Sequence, residues 1–189
     1  MILPIYLYGQ PVLRKEAEEV APDFPELKKL VADMYETMYA SEGIGLAAPQ
    51  IGQSIRLIVI DADALKDTFP ELEGVKMTLI NPELEIIEDG KKISRDEGCL
   101  SLPGLHEQVP RYEKLRLNWL DEDFNEHEQV FEGFLARIIQ HENDHLDGIV
   151  YTDRISPIRK QLIRKKLHSI ADGKVACDYK VKQQKAAKR

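Results

Sequence analysis

Two histidines and a glutamate in the last third of the chain could bind a metal ion and perform hydrolysis. His141, Glu142 and His145 follow the H-E-x-x-H spacing. On a helix, residues four apart lie on one side, so both imidazoles can reach one ion while the glutamate lies beside it. A divalent ion activates water, and a neighbouring carboxylate can accept the proton of that water. The pattern therefore indicates metal-dependent hydrolysis.

The residues around this motif place it on the apolar side of a helix. The rows that contain the two histidines and the glutamate continue through Phe134, Leu135, Ile138 and Ile139. The remaining face carries Arg137, Gln140, Asn143 and Asp144. Burying an unpaired carboxylate costs on the order of several kcal/mol, so Glu142 on the apolar side needs a reason. A nearby metal ion and water supply that reason better than a pair of surface or core histidines does.

A catalytic metal site usually has three protein ligands and one open position for water. A zinc endopeptidase with this motif takes its third ligand from a downstream helix or from the sixth residue after the second histidine, which here is Tyr151. The remaining histidines lie in charged or loop-like sequence: His106, His127 and His168. We favour Cys99, because the glycines and proline of E-G-C-L-S-L-P-G indicate a specialised backbone. The alternative is that Cys99 is a small buried side chain of the core and not a metal ligand.

The stretch G-I-G-L-A-A-P-Q-I-G, from Gly43 to Gly52, is the third unusual feature. Two glycines separated by one residue allow another backbone to approach closely. It is not a dinucleotide-binding fingerprint, because it lacks G-x-G-x-x-G and follows a helix rather than a strand. On its own, the stretch is equally consistent with a simple turn.

The elements that must position these motifs indicate an α+β fold. Helical spacing of apolar residues occurs at 23–39, 133–146 and 156–172. Strand-like runs occur at 55–60, 75–80, 84–87 and 115–119. Asn81-Pro82 predicts a bend between the second and third runs. The order of helix, strands, helix, helix predicts antiparallel or mixed sheets. We expect one catalytic domain over residues 1–172 and a basic, flexible tail over 173–189.

The charge of the chain is unevenly distributed. The 189 residues have a net charge of −7, and residues 154–189 carry 12 Lys and Arg against 2 Asp. An acidic total argues against a uniformly basic nucleic-acid-binding surface, while the basic end could bind a polyanion. We expect no membrane span and no secretory signal. Two cysteines, Cys99 and Cys177, are too few for a disulfide framework, which predicts a reducing, cytoplasmic setting.

Three motifs in a fixed order resemble the signature of the peptide deformylases. They are G-I-G-L-A-A-P-Q, E-G-C-L-S and Q-H-E-x-D-H-L-x-G, between Gly43 and Gly148. The resemblance implies removal of the formyl group from the N-terminal formyl-methionine of newly made proteins, with release of formate. It also implies antiparallel sheets around a central metal-binding helix, with an N-terminal helix and a long C-terminal helix. Leu102 stands where valine or isoleucine is common, which leaves the chemistry unchanged.

The resemblance also assigns roles by motif position. The implied metal ligands are Cys99, His141 and His145, and Glu142 is the implied general acid/base for a metal-activated water. The implied donors to the formyl oxygen are the Gln50 side chain and the Leu100 N–H. The implied peptide groove consists of Gly43, Ile44 and Gly45, with Glu97 at the entrance of the methionine pocket. Family members typically use Fe²⁺ in the cell, and Zn²⁺, Ni²⁺ or Co²⁺ can occupy the same ligands.

Two other functions remain open at this point. A zinc endopeptidase needs a further downstream ligand and would cut unformylated peptides internally. A ribosome- or RNA-binding protein with a structural metal needs four protein ligands, and the sequence offers three. Binding to the ribosome remains open, because the resemblance implies docking near the ribosomal exit tunnel through the basic helix at 156–172. A solvated helix face is the simpler explanation of the same charges.

Overall fold

The computed structural model describes residues 1–88 and 92–182. Its helices are α1 (Leu27–Ala40), α2 (Gly133–Leu146) and α3 (Pro157–Ala171). Its strands are β1 (Ile5–Tyr6), β2 (Gly45–Ala47), β3 (Leu57–Asp61), β4 (Lys76–Ile86), β5 (Ile93–Cys99), β6 (Leu102–Arg111), β7 (Lys114–Leu120), β8 (Glu126–Glu132) and β9 (Val181–Lys182). The predicted α+β class is confirmed. Within these residues no helix combines the length and the apolar character needed to cross a bilayer.

The strands form one larger sheet and two pairs. The larger sheet has the order β2-β3-β4-β7-β8, and every neighbouring pair in it is antiparallel. Strands β5 and β6 form a separate antiparallel pair, and β1 pairs with β9 in parallel. Two of the three sheets are therefore wholly antiparallel, and the third is a parallel pair in which the two ends of the described chain meet.

Strand β3, inside the larger sheet, is buried on both faces. Along β3, Leu57 and Val59 belong to an apolar cluster that includes α1 and α3, whereas Ile58 and Ile60 belong to a cluster that includes α2. Successive strand side chains point to opposite faces, so a strand covered on both sides is apolar at every position. This explains the uninterrupted run L-I-V-I and places α2 against one face of the sheet.

Asn81 and Pro82 bend a single long strand rather than separating two. Strand β4 pairs with β3 through Lys76–Ile80 and with β7 mainly through its second half, with an irregular register between Ile80 and Glu83. Asn81 has a positive φ of 49°, and its side chain exchanges hydrogen bonds with the backbone of Val20. The bend was predicted, but the two runs form one strand.

Helix α2 occupies the interval that the sequence predicted, and all sides of it are packed. Its polar face lies against the β5–β6 pair. Arg137 donates to the carbonyl oxygens of Val109 and Ile93, and Gln140 donates to that of Tyr112. These bonds fix the helix against the β5–β6 pair, whose first strand ends at Cys99.

Helix α3 begins as expected, with the Ser156 hydroxyl accepting from the Arg159 N–H at 3.3 Å. The predicted apolar stripe is only partly correct. Its C-terminal part packs inward through Ile163, Leu167 and Ile170, but Ile158 and Leu162 are 73% and 68% exposed. Ile158 and Leu162 are four residues apart and therefore lie on one face of the helix, which remains in solvent.

The segment after α3 differs from the flexible tail expected from residue 173. Residues 174–182, which we call the C-terminal strap, return across the body and end in β9, where Val181 is paired with Ile5. Alternate strap side chains pack on the core: Val175, Cys177, Tyr179 and Val181. This period of two is a strand signal that the surrounding lysines obscured. Residues 183–189 of the expected tail lie outside the described residues.

Candidate active site

Three potential metal ligands come together where β5 meets α2. Cys99 ends β5, and His141 and His145 lie one turn apart on α2. One ligand atom from each lies within 4.8 Å of the other two, and Cys99 Sγ is 3.3 Å from His145 Nε2. Metal–sulfur and metal–nitrogen bonds of about 2.3 and 2.1 Å place two ligands of a tetrahedral zinc about 3.6 Å apart. The spacing therefore fits one ion.

The chemistry of the site also fits a metal ion with a water beside it. One thiolate and two imidazoles suit zinc or ferrous iron. Burial lowers the pKa of His145 well below its usual value, which favours the neutral ring that a metal requires. Burial also lowers the pKa of His141, but hydrogen bonds with Cys99 and Glu97 outweigh it and raise that pKa above its usual value. The buried Oε2 atom of Glu142 has no hydrogen-bond partner among the described residues. A water beside the ion would satisfy this oxygen.

Glu142 is held in a position suited to proton transfer. Its side chain follows His141 on α2, and the residue is 5% exposed. Burial raises the pKa of its carboxyl to about 7, a value at which the group can both accept and release a proton near neutral pH. Gly45 makes room for it, because a Cβ there would lie 2.5 Å from Glu142 Oε1. The glycine loop and the metal motif are thus in direct contact.

Glu97 lies behind the metal ligands in a buried ionic cluster. Its carboxylate accepts two hydrogen bonds from Arg111, at 2.7 and 2.9 Å, and one from Arg137 at 2.7 Å. It also lies 3.0 Å from His141 Nδ1, which leaves the other ring nitrogen for the ion. Burial raises the pKa of Glu97, but the hydrogen bonds with His141 and Arg111 outweigh it and set the pKa at about 2.

The sequence interpretation missed this cluster. It placed Glu97 at the entrance of the methionine pocket; the residue does line the pocket, but its carboxylate faces His141 and the two arginines. No local pattern identifies Arg111 as its partner, because the contact depends on how β5 and β6 pair. Arg137 offered one signal, since it precedes His141 by one helical turn.

Gln50 lies on the opposite side of the cysteine. Its Oε1 accepts from the Ala47 N–H at 2.9 Å, which fixes the orientation of the amide. Its Nε2 then points to Cys99 Sγ at 3.5 Å and to Ser101 Oγ at 3.3 Å. Leu100 lies between these two residues, in the turn from β5 to β6. The Gln50 amide and the backbone N–H of Leu100 therefore both lie close to the cysteine.

A pocket of about 620 Å³ opens onto this site. Nine of the ten predicted site residues line it: Gly43, Ile44, Gly45, Gln50, Glu97, Cys99, Leu100, His141 and Glu142. The tenth, His145, lies behind them. Phe134 and Ile138 of α2 add apolar surface to the wall. The strap contributes a part that the sequence analysis did not foresee: Ala176, Cys177, Asp178 and Tyr179.

Comparison with known proteins supports the same conclusion as the geometry. The family model described as polypeptide deformylase matches residues 2–161. The chain belongs to the peptide deformylase family. The peptide deformylase of Flavobacterium johnsoniae is 46% identical over 189 residues, covering 96% of each protein.

Solved structures agree with this membership. Peptide deformylase from Thermus thermophilus is 41% identical, with a TM-score of 0.76, and the match covers 90% of this chain and 98% of that one. A plant peptide deformylase has a TM-score of 0.80 at 31% identity, with 94% and 96% covered. The predicted enzyme class is confirmed: the family consists of metal-dependent hydrolases that deformylate nascent peptides. Neither an endopeptidase nor a protein with a purely structural metal agrees with this membership.

Proposed function

We propose that the protein removes the N-formyl group from the terminal formyl-methionine of newly synthesised polypeptides and releases formate. One divalent ion is held by Cys99, His141 and His145. The observation that carries the proposal is the position of Glu142 beside these ligands, at the wall of the pocket. Its buried Oε2 atom has no hydrogen-bond partner in the part of the chain that the structure describes. We take Fe²⁺ as the cellular ion, with Zn²⁺, Ni²⁺ or Co²⁺ as substitutes. A thiolate next to ferrous iron makes the site sensitive to oxidation.

The chemical step relies on one proton carrier. The ion, when bound, supplies Lewis acidity and lowers the pKa of a neighbouring water. Glu142 accepts a proton from that water as the water oxygen attacks the formyl carbon. Glu142 then gives the proton to the departing amine as the carbon–nitrogen bond breaks, leaving formate and a free N-terminus. A carboxyl pKa near 7 suits both transfers.

Two fixed donors stabilise the negative charge that develops on the formyl oxygen. Gln50 presents its amide N–H₂ beside Cys99, and Leu100 presents its backbone N–H from the following residue. Donors that are oriented before the reaction stabilise the transition state more than the substrate, because the charge appears only during attack. The bond from Ala47 to Gln50 Oε1 supplies this orientation for the amide.

The pocket wall accounts for recognition of the substrate. The methionine side chain packs on the apolar surface of Ile44, Phe134 and Ile138, with Glu97 in the same wall. The peptide backbone pairs with Gly43–Gly45 as an added strand. Main-chain pairing does not depend on side-chain identity, which allows varied residues after the methionine.

Replacement of the proton carrier tests the proposal. Glu142→Gln should retain a full complement of metal and lose formate release from formyl-Met-Ala-Ser by at least about 100-fold. Formate and metal content are measured under anaerobic conditions. Glu132→Gln, at the exposed glutamate that precedes α2, is the matched control and should keep its activity. Retained turnover in Glu142→Gln would exclude this residue as the acid/base group.

We also propose that α3 guides the enzyme to its substrate by docking on the ribosome, in the cytoplasm where nascent chains emerge. Arg164, Lys165 and Lys166 are exposed, consecutive basic residues on this helix. Phosphate-rich RNA attracts such residues. Reversal of these three charges should reduce co-sedimentation with ribosomes, whereas reversal of Lys28 and Lys29 on α1 should not. Equal co-sedimentation of both variants would contradict docking through α3.

A further inference from the structure

The C-terminal strap is a structural part of the pocket. Four of its residues line the cavity, and β9 attaches its end to β1. The family model ends at residue 161, before the strap begins. The strap therefore lies outside the segment that the family model covers.

Tyr179 connects the strap to the turn that follows the cysteine ligand. Its hydroxyl donates to the carbonyl oxygen of Leu100 at 2.7 Å. The next carbonyl, that of Ser101, accepts from the Tyr8 N–H at 2.8 Å. Residues from near both ends of the described chain thus hold two successive carbonyls of one short turn.

This turn has little freedom on its other side as well. The Leu100 side chain lies against the glycine loop, where a Cβ at Gly43 would be 2.9 Å from Leu100 Cδ1. The N–H and C=O groups of Leu100 flank the same Cα atom, so restraining the carbonyl also limits how the N–H can turn. Transition-state stabilisation by such a donor depends on its direction being fixed before the reaction.

We propose that Tyr179 is a positioning residue for deformylation. Its hydroxyl holds the Leu100 carbonyl and limits backbone rotation at Leu100, which keeps the Leu100 N–H of the preceding peptide unit directed at the formyl oxygen. The strap thereby completes the active site. The inference rests on the proposed function, in which Leu100 is a donor to that oxygen. Tyr179 acts through the backbone of Leu100 rather than on the substrate.

The test removes one hydroxyl from Tyr179 and, as a control, from another tyrosine. Tyr35 is also half-buried, and its hydroxyl lies 3.2 Å from Thr78 Oγ1, away from the residues that line the pocket. With formyl-Met-Ala-Ser, Tyr179→Phe should lower kcat about tenfold and change KM less than about twofold, because only an orientation is weakened. Tyr35→Phe should keep both constants. The two variants should have equal metal content and similar melting temperatures.

Three results would overturn the inference. An unchanged kcat in Tyr179→Phe would show that the hydroxyl does not orient the turn. A raised KM with unchanged kcat would place Tyr179 in contact with the peptide. A loss of metal in parallel with activity would show that the hydroxyl supports Cys99 instead. If the unaltered enzyme itself released no formate, the proposed function would fail, and this inference with it.

Discussion

The Glu97 carboxylate lies 3.0 Å from the Nδ1 atom of His141 and so determines which nitrogen of that ring faces the metal site. Arg111 and Arg137 compensate the buried negative charge. The carboxylate thus orients a metal ligand without itself being one. Partners of this kind strongly affect metal affinity, because they hold the ring and increase its basicity.

Glu97→Gln should therefore weaken metal binding by about 10- to 100-fold. The amide keeps the size of the side chain but removes the charge that holds His141. Metal affinity is measured by competition with a chelator. Glu107→Gln is the control, since Glu107 is also buried and binds one arginine, Arg159, through two bonds of 2.9 Å. Equal affinities in the two variants would show that Glu97 serves only the fold.

Gly45→Ala should lower kcat about 100-fold while the protein keeps its metal. The added methyl group would meet the Glu142 carboxyl at 2.5 Å and displace the proton carrier. Turnover and metal content are measured on the same sample. Gly74→Ala is the comparison. The φ of +70° at Gly74 makes alanine costly, but no atom of the described residues lies within 4 Å of the added Cβ, so this variant should be less stable and fully active. Normal kcat in Gly45→Ala would mean that Glu142 does not need its observed position.

Cys99→Ser should lower or alter the metal content, because a hydroxyl replaces the thiolate as a soft, charged ligand. Elemental analysis of protein purified without added metal is the measurement. Cys177→Ser should retain the metal, since Cys177 lies in the strap outside the ligand group. An unchanged iron or zinc content in Cys99→Ser would remove this cysteine from the coordination sphere.

Asp153 should stabilise the fold in a pH-dependent way. Burial raises the pKa of its carboxyl, but hydrogen bonds from Arg14, Lys160 and the Val150 N–H outweigh burial and hold the pKa below its usual value. A carboxyl whose pKa is lower in the folded state stabilises the protein above its unfolded pKa, and the effect is lost as pH falls through the folded pKa.

Asp153→Asn should accordingly lower the melting temperature by about 2–4 °C at pH 7. The difference from the unaltered protein should shrink as the pH falls below about 4. Asp67→Asn, at an exposed position, makes the same charge change and should have little effect at either pH. A difference that stays constant with pH would indicate that the lost stability does not come from the ionised carboxylate.

The parts of the fold that the sequence predicted well have strong local signals. Helix α2 combines an apolar period with an end at Gly148, whose φ is 69°, and its bounds agree with the prediction. Strand β8 has no such signal, because only Phe131 among its residues is buried. The pairing of Glu97 with Arg111 was equally invisible, since it arises only when two strands meet.

The contacts of the last helix and of the strap were also not predictable from local sequence. The alternation of Val175, Cys177, Tyr179 and Val181 is a strand-like pattern, but only Val181 and Lys182 form strand β9, and nothing local indicated that it would meet β1. On α3, the apolar character of a residue did not indicate whether it would be buried, since Ile163 is buried and Leu162 is exposed. Local pattern predicts which element forms, whereas its partner depends on the rest of the fold.

The pairing of Ile5 with Val181 has a consequence for how the enzyme is made. Contacts between residues far apart in the chain close large loops and form late in folding. Ribosomes release a chain from its N-terminus onward, so β1 emerges long before its partner β9. A folding intermediate in which β9 is not yet paired with β1 therefore lacks the pocket wall that the strap provides.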